Sequence, residues 1–202
     1  MRYTGPKVKK ARRFGMAFTA KDAKILQKRG FPPGQHGQNR TRVSEYGTQL
    51  REKQKMKINY GIQERQFRSY FEKALKQSGV TGENLLSLLE RRLDNVVYRL
   101  GFSETRAQAR QLVSHGFFEV NGKKADIPSY LLKVGDVVKV KDNKRKSKNI
   151  SVLNEKIKAY KVQDWLELDK SQLLGKIISL PTQGLVENTI NTQLIVEHYS
   201  RT

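Results

Sequence analysis

In the stretch "TRAQARQLVSHGFFEVNGK", Thr105 to Lys123, two arginines stand four residues apart, and a hairpin signal flanked by lysine follows closely. Side chains at i and i+4 leave one helix face together, so Arg106 and Arg110 suit successive phosphates along one edge of an RNA groove. Ser114 lies a further four residues on and adds a hydroxyl, with His115 beside it. Asn121-Gly122 asks for a type I′ turn, whose central residues both need positive φ, and it sets Lys123 on the returning strand. The chemistry is anion binding by a rigid cationic platform, not catalysis in a pocket. A-form RNA hides its base edges in a deep major groove and displays phosphates and 2′-hydroxyls, so folded RNA is the expected target. The plainer alternative is that these charges only solvate a helix, and the charge of the whole chain weighs against it for the set.

That charge is large: 202 residues carry 40 Lys and Arg against 19 Asp and Glu, a net +21. It repels itself unless a polyanion neutralises it, which makes nucleic acid the leading partner. Residues 1–60 hold sixteen basic and three acidic residues (+13), and 61–202 hold twenty-four and sixteen (+8). The first segment therefore reads as a basic arm that orders on its target. No apolar run approaches the roughly 20 residues that span a bilayer, and the first thirty residues lack the apolar core of a secretory signal. The basic, acid-poor N-terminus also has transit-peptide character, but the pattern downstream treats it as mature sequence. Without cysteine there is no disulfide and no thiolate metal site, which fits a reducing intracellular setting.

The elements that must position these residues are readable from periodicity and caps. From Met1 to about Val43 the chain has little periodicity, and "RGFPPGQHGQNRTR" predicts extended or irregular structure. "EYGTQLREKQKMKINYG" and "QERQFRSYFEKALKQ" predict helices broken at Gly61, the second burying Phe67, Tyr70, Phe71, Ala74 and Leu75. "TGENLLSLLERRLDNVVYRLG" predicts one long helix with Leu85, Leu89, Leu93, Val96 and Leu100 in a stripe, joined by Leu86 and Val97. Thr81 caps its start, Gly101 stops it, and Arg92 and Arg99 share a side. Thr105 and Gln108 form a capping box for the helix carrying Arg106, which buries Ala109, Leu112 and Val113 and ends at Gly116. "FFEV" and, after a Gly135-Asp136 turn, "LLKVGDVVKVKD" supply strands. "EKIKAYKVQDWLELD" predicts a helix before Trp165, and "NTQLIVEHYS" is compatible with either a strand or a helix.

"RLDNVVYRLGFSETRAQARQLVSHGFFEVNGKKADIPSYLLKVGDVV" closely resembles the S4 RNA-binding domain, specifically that of the bacterial-type small-subunit ribosomal protein family uS4. "RYTGPKVKKARR", "PPGQHGQNRTRVSEYGTQLREKQK", "YGIQERQFRSYF" and "LIVEHYSR" resemble the same family, so the likeness covers essentially the whole chain. The resemblance implies binding to the five-way junction in the 5′ domain of 16S rRNA early in small-subunit assembly. It also implies two lobes and an arm that threads into RNA. Arg40 and Arg42 fall where the family places basic residues near the channel through which mRNA enters, beside proteins S3 and S5; the S5 interface is linked in the family to decoding accuracy. Two departures stand out. The cysteine zinc knuckle of some members is missing, so no zinc is expected, and "PTQGLVENTIN" has Gln183 and Gly184 where charged residues are expected.

Sharper readings compete with this one at three places. "RLD" at Arg92 to Asp94 resembles the catalytic aspartate motif of pseudouridine synthases, but only about 90 residues precede the S4-like segment and about 60 follow it. That leaves no room for a separate catalytic domain, and Asp94 is expected to pair with a nearby arginine. "KRKSK", Lys144 to Lys148, resembles the ATP-handling loop of tyrosyl-tRNA synthetases, yet no nucleotide-binding motif lies upstream. His36, His115 and His198 are scattered, with no ligand-spaced partners, so metal binding is not expected. His36 in its Gly- and Pro-rich turn is read as packing on RNA.

The expected fold is α+β: a basic extended N-terminal arm (1–44), a small helical domain (45–90, completed by 160–202), and an S4 domain (91–159) of helices on a small, mostly antiparallel sheet. The expected function is structural rRNA binding in the small subunit, in the cytoplasm or an organelle, without enzyme activity, cofactor, membrane or homo-oligomer. Candidate RNA contacts on the arm are Lys7, Lys9, Lys10, Arg12, Arg13, His36, Arg40 and Arg42. In the helical region they are Arg51, Lys53, Lys55, Tyr60, Arg65 and Arg68. In the S4-like segment they are Arg92, Arg99, Thr105, Arg106, Arg110, Ser114, His115, Asn121 and Lys123. The runner-up is a stand-alone S4-domain factor, either an RNA-modifying enzyme or a stress protein acting on stalled subunits.

Overall fold

The computed structural model describes residues 3, 5–39, 42–145, 147, 150, 157, 160–181 and 190–201. In chain order these hold helices α1 (Lys7–Phe14), α2 (Ala20–Lys28), α3 (Glu45–Asn59), α4 (Glu64–Leu75), α5 (Thr81–Glu90), α6 (Leu93–Arg99) and α7 (Arg106–Ser114). Strands β1 (Phe118–Val120), β2 (Lys123–Ala125), β3 (Val137–Val140), β4 (Leu166–Asp169) and β5 (Leu174–Ile177) follow, then helix α8 (Thr192–Ser200). The chain divides into a helical unit, Met1–Gly82 with Glu187–Thr202, and a sheet unit, Glu83–Val186.

In the helical unit, α3 and α4 meet at Gly61, whose φ of 63° permits the sharp turn expected there. Phe67, Tyr70, Phe71 and Ala74 of α4 are buried with Met56 and Tyr60. Leu75 departs from the expected stripe and is 54% exposed, because the helix ends at that residue. The C-terminal residues that allowed either a strand or a helix form α8: Asn191 caps it, accepting from the N–H groups of Gln193 and Leu194. Tyr199 stacks on Phe71 at 4.4 Å between ring centroids, so α8 closes this core. The arm is not extended as its composition suggested. Thr19 accepts from the Asp22 N–H and starts α2, while α1 buries Ala11 and Phe14, with Met16 buried just beyond its end. Arg12 ties α1 to the following loop, its Nε donating to the Phe31 carbonyl at 3.1 Å and Nη2 to that of Pro32 at 3.3 Å.

In the sheet unit the expected single long helix is two. Arg92 sits at φ −66°, ψ 137°, extended backbone that ends α5 and starts α6. The freed backbone groups are not orphaned: the Leu93 N–H donates to the Tyr130 carbonyl and the Asp94 N–H to that of Pro128, while the Arg91 carbonyl accepts from the Leu132 N–H. The apolar residues on both sides of the break are still buried, with Leu85, Leu89, Leu93, Val96, Val97 and Leu100 all inaccessible to solvent, and those of α6 join the core of the sheet. Gly101 at φ 80° and Gly116 at φ 67° end α6 and α7 as expected.

The sheet runs β2-β1-β3-β5-β4, antiparallel throughout. Phe118 pairs with Val140 and Val120 with Val138, setting four buried side chains beneath α6 and α7's apolar stripe. The β4–β5 hairpin corrects the assigned domain boundary: β5 pairs with β3, so 160–181 belong to the sheet unit, and only Glu187–Thr202 return to the helical one. Residues 160–164 are not helical, so among the described residues only Ile157, helical and buried, carries the expected helix before Trp165. Trp165 is fully buried and satisfies its indole N–H on Gln163 Oε1 at 2.9 Å.

Gly175 faces Val138 across β3 and β5, and a Cβ there would overlap both methyl groups of the buried Leu100. Gly175→Ala is expected to lower unfolding stability by about 1–3 kcal/mol, the usual cost of overpacking a closed core. Urea denaturation followed by Trp165 fluorescence reads it, and an unchanged midpoint would contradict the packing.

Candidate nucleic-acid interface

The helix carrying the arginine pair starts where its cap predicts. The Thr105 hydroxyl accepts from the Gln108 N–H at 3.2 Å, and Gln108 reaches back, though to the N–H of Glu104 rather than that of Thr105. Ala109, Leu112 and Val113 are buried, which leaves Arg106 and Arg110 on the flank. Both are anchored at their guanidinium ends. Arg106 Nε donates to Asn95 Oδ1 at 2.9 Å, and its guanidinium lies 4.6 Å from the centre of the Tyr98 ring. Arg110 Nη1 stands 3.3 Å from Asp94 Oδ2 with a third of the side chain exposed. Ser114 is exposed and turns its hydroxyl back to the Arg110 carbonyl, and His115 is exposed at the helix end.

The hairpin beyond is also as expected, with Asn121 at φ 51° and Gly122 at φ 75°. Asn121 donates to Asp136 at 2.8 Å and accepts from the Val137 N–H at 2.9 Å, tying the turn to β3. Lys123 is exposed. It is Lys124 whose side chain reaches the Gly116 turn, while also pairing with Asp126 at 3.0 Å. Asp126 carries a carboxyl held below its ordinary pKa by that lysine's hydrogen bond and charge.

Arg92 and Arg99 are not part of this surface, which corrects the expectation for both. Arg92 is fully buried and gives two N–H groups to Asp94, at 3.0 and 2.6 Å. Arg99 gives two to Glu90, at 3.0 and 2.9 Å, and Glu90 is itself fully buried. Asn95 donates to the same carboxylate at 2.7 Å and to the Glu90 carbonyl at 3.0 Å. A cation out of water persists only when paired and hydrogen-bonded, and these two are. Asp94 has the structural role expected for it, shared between Arg92 and Arg110.

In the helical unit the candidates also divide. Lys53 and Tyr60 are buried, and Lys53 gives its charge to Glu64 at 2.8 Å; neither presents itself to a partner, against expectation. Lys55 is mostly covered and pairs with Glu52 at 3.0 Å. Arg51 is exposed and donates to the Arg13 carbonyl at 2.9 Å. Lys10 lies over the Tyr3 ring at 4.7 Å, and Arg12 over that of Phe31 at 4.9 Å. Arg68 pairs with Glu72 at 3.4 Å on the surface. Lys7, Lys9, Arg13, His36, Arg42 and Arg65 are exposed. Arg40, Gln183 and Gly184, like Lys146 and Lys148 of the basic loop, lie outside the described residues.

Sequence reasoning missed two sets. Lys21, Lys24, Lys28 and Arg29 are exposed on or just after α2. Thr19 with Asp22 three residues on was the signal for that helix. Asn95 and Tyr98 were hidden because their role depends on α7 lying against α6. Among the described residues, no three His, Cys, Asp or Glu side chains gather where a metal ion could be held, and no helix is long and apolar enough to cross a membrane.

A basic α+β protein with a cationic helix face set on a small antiparallel sheet is, as a class, a binder of structured nucleic acid. Residues 2–90 match the family described as "Ribosomal protein S4/S9 N-terminal domain" and residues 91–138 that described as "S4 domain". Small ribosomal subunit protein uS4 of Chloroflexus aurantiacus is 54% identical over 208 residues, covering 99% of each chain. Its counterpart in Caldicellulosiruptor saccharolyticus is 52% identical over 206 residues, again covering 99% of each. That of Sulfurihydrogenibium sp. is 52% identical over 205, covering 98% of each. The chain belongs to the uS4 family of small ribosomal subunit proteins. It is thereby a structural, rRNA-binding ribosomal protein and not an enzyme.

Glu64 gives the helical unit a distinct acid response. Burial opposes its ionised form, but hydrogen bonds from Lys53, Lys57 and Tyr199 outweigh that and hold its carboxyl at about 2, against an ordinary 4.5. A depressed carboxyl contributes its full stability above the unfolded-state value and loses it as the folded-state value is approached. The helical unit should therefore lose stability between pH about 4.5 and about 2. With the side chain 45% exposed, the loss is discounted to on the order of 1 kcal/mol. Glu64→Gln should flatten that limb in acid titrations of thermal stability, and an unchanged limb would contradict the assignment.

Proposed function

We propose that this protein binds the five-way junction of the 16S rRNA 5′ domain and there nucleates assembly of the body of the small subunit. We assign the primary contact in the sheet unit to the α7 face, with Arg106 and Arg110 on phosphates, Ser114 and His115 extending the row, and the Asn121–Lys123 turn beyond it. The arm and helical unit contribute a second set, led by Lys7, Lys9, Arg13, His36, Arg51, Arg65 and Arg68. Arg42, with Arg40, is assigned to the channel through which mRNA enters, beside S3 and S5, where the S5 interface bears on decoding accuracy. The observation that carries this reading is the anchored arginine pair on an otherwise apolar-backed helix. Such a pair is already ordered before RNA arrives, and ordered cations lose less entropy on meeting phosphates.

Two measurements test it on the full chain with a transcript of the small-subunit rRNA 5′ domain. Neutralising about six phosphates gives a log-log salt slope of roughly −4 to −5. Replacing Arg106 and Arg110 together should flatten that slope by roughly two and weaken binding at least about tenfold. Glutamine suits the replacement better than glutamate, since a carboxylate at 110 would stand against Asp94 and disturb the fold. Protection of the junction from chemical cleavage locates the footprint. Equal affinity for arbitrary hairpins of matched length would sink the junction assignment, and unchanged binding by the double variant would move the recognition surface to the arm.

A further inference from the structure

The two α7 arginines are held by adjacent residues of a different helix, and the holders differ in charge. Asp94 takes Arg110 and Asn95 takes Arg106. Asn95 is only 2% exposed, and its orientation is decided by Glu90: the amide nitrogen donates to both the Glu90 carboxylate and the Glu90 carbonyl. Its oxygen is thereby forced towards Arg106, the one arrangement in which an asparagine amide satisfies both neighbours. Glu90 in turn is fixed by two hydrogen bonds from Arg99. A chain of buried groups, Arg99 to Glu90 to Asn95, thus ends on a half-buried arginine, with the Tyr98 ring as the second wall of its seat.

We infer that Asn95 is a positioning residue for RNA recognition: it and Tyr98 orient the Arg106 guanidinium without adding a negative charge of their own. An amide oxygen and a ring face restrain a guanidinium by one hydrogen bond and a cation–π contact. Neither carries a formal charge, so neither neutralises the guanidinium it holds. A carboxylate at the same place would hold the arginine as firmly and neutralise it, and would also stand against Glu90. Asp94 does neutralise, but it serves two arginines, Arg92 and Arg110, so that trio keeps one net positive charge. Both seats therefore fix geometry, and in neither do the holding groups bring as much negative charge as there is positive. The inference rests on the reading that Arg106 meets RNA.

The variant that separates orientation from charge is Asn95→Ala, since it leaves every cation in place. Asp94 is the poorer choice, because its removal strands the buried Arg92. Full-chain Asn95→Ala, Arg106→Gln and the double variant would be titrated with the rRNA 5′-domain transcript across a salt series. Melting curves would fix a temperature at which all are folded. Asn95→Ala is expected to weaken binding about three- to tenfold, the cost of ordering one long side chain on binding, with the salt slope unchanged. Arg106→Gln is expected to weaken binding and reduce the slope by about one. In the Arg106→Gln background, Asn95→Ala is expected to change affinity less than about twofold, because an indirect effect needs the arginine it acts through. If Asn95→Ala does not fold, Tyr98→Leu keeps the polar chain and removes the ring, with the same three expectations.

The outcomes are distinguishable. A normal Arg106→Gln loss with an Asn95→Ala effect that persists in its background, or with no Asn95→Ala effect at all, overturns the positioning role alone. Unchanged affinity and slope in Arg106→Gln overturn the RNA-face reading and the positioning role with it.

Discussion

The sheet unit depends on two ion pairs removed from water at the junction of α5 and α6. Arg92 with Asp94 and Arg99 with Glu90 bring four charges into a region where each is at most 6% exposed. An ion there is tolerated only with a partner in good geometry, and removing one partner costs about 3–5 kcal/mol. That is a large share of the roughly 5–15 kcal/mol that stabilises a typical domain. The pairs do more than satisfy each other. Arg92 takes the extended backbone that turns α5 into α6, and loop carbonyls at Pro128 and Tyr130 accept the N–H groups released by the break. The turn in turn decides where Asp94, Asn95 and Tyr98 stand, and so where the α7 arginines are held.

The same constraint explains how a chain of net +21 folds at all. Four of its scarce carboxylates sit where buried or half-buried cations would otherwise be stranded: Glu64 takes Lys53 and Lys57, Glu52 takes Lys55, Glu90 takes Arg99, and Asp94 takes Arg92 and Arg110. Cations such as Lys7, Lys9, Arg13 and Arg65 are exposed, where water screens their repulsion until a polyanion replaces the water. Charge is thus sorted by burial, with these covered cations held by carboxylates and the remaining cations on a positive exterior.

Reading the sequence recovered much of this because several signals are local. The Thr105 cap, the Gly61, Gly101 and Gly116 stops, the Asn121-Gly122 turn and the Ala109, Leu112, Val113 stripe all depend on residues within a few positions of one another. The same locality misled elsewhere. An unbroken 3.6-residue apolar pattern across Glu90 to Asp94 predicts one helix, since the break is caused by hydrogen bonds from a segment about forty residues downstream. In "KVKKARRF" the few apolar residues are outnumbered by cations, so the packing of Ala11 and Phe14 that makes α1 a helix was not visible. The β4–β5 hairpin was missed because its place is set by pairing with β3.

What the amino-acid sequence determined by itself is the class of partner, the α+β composition and the helix that bears Arg106 and Arg110. Net charge and i, i+4 spacing are properties of the chain whatever its packing. Tertiary structure alone decided which cations face outward. Arginine looks the same in sequence at 92, 99, 106 and 110, but burial separates the first two from the last two. Whether a guanidinium meets a carboxylate, an amide or solvent is set by which helix lies against it.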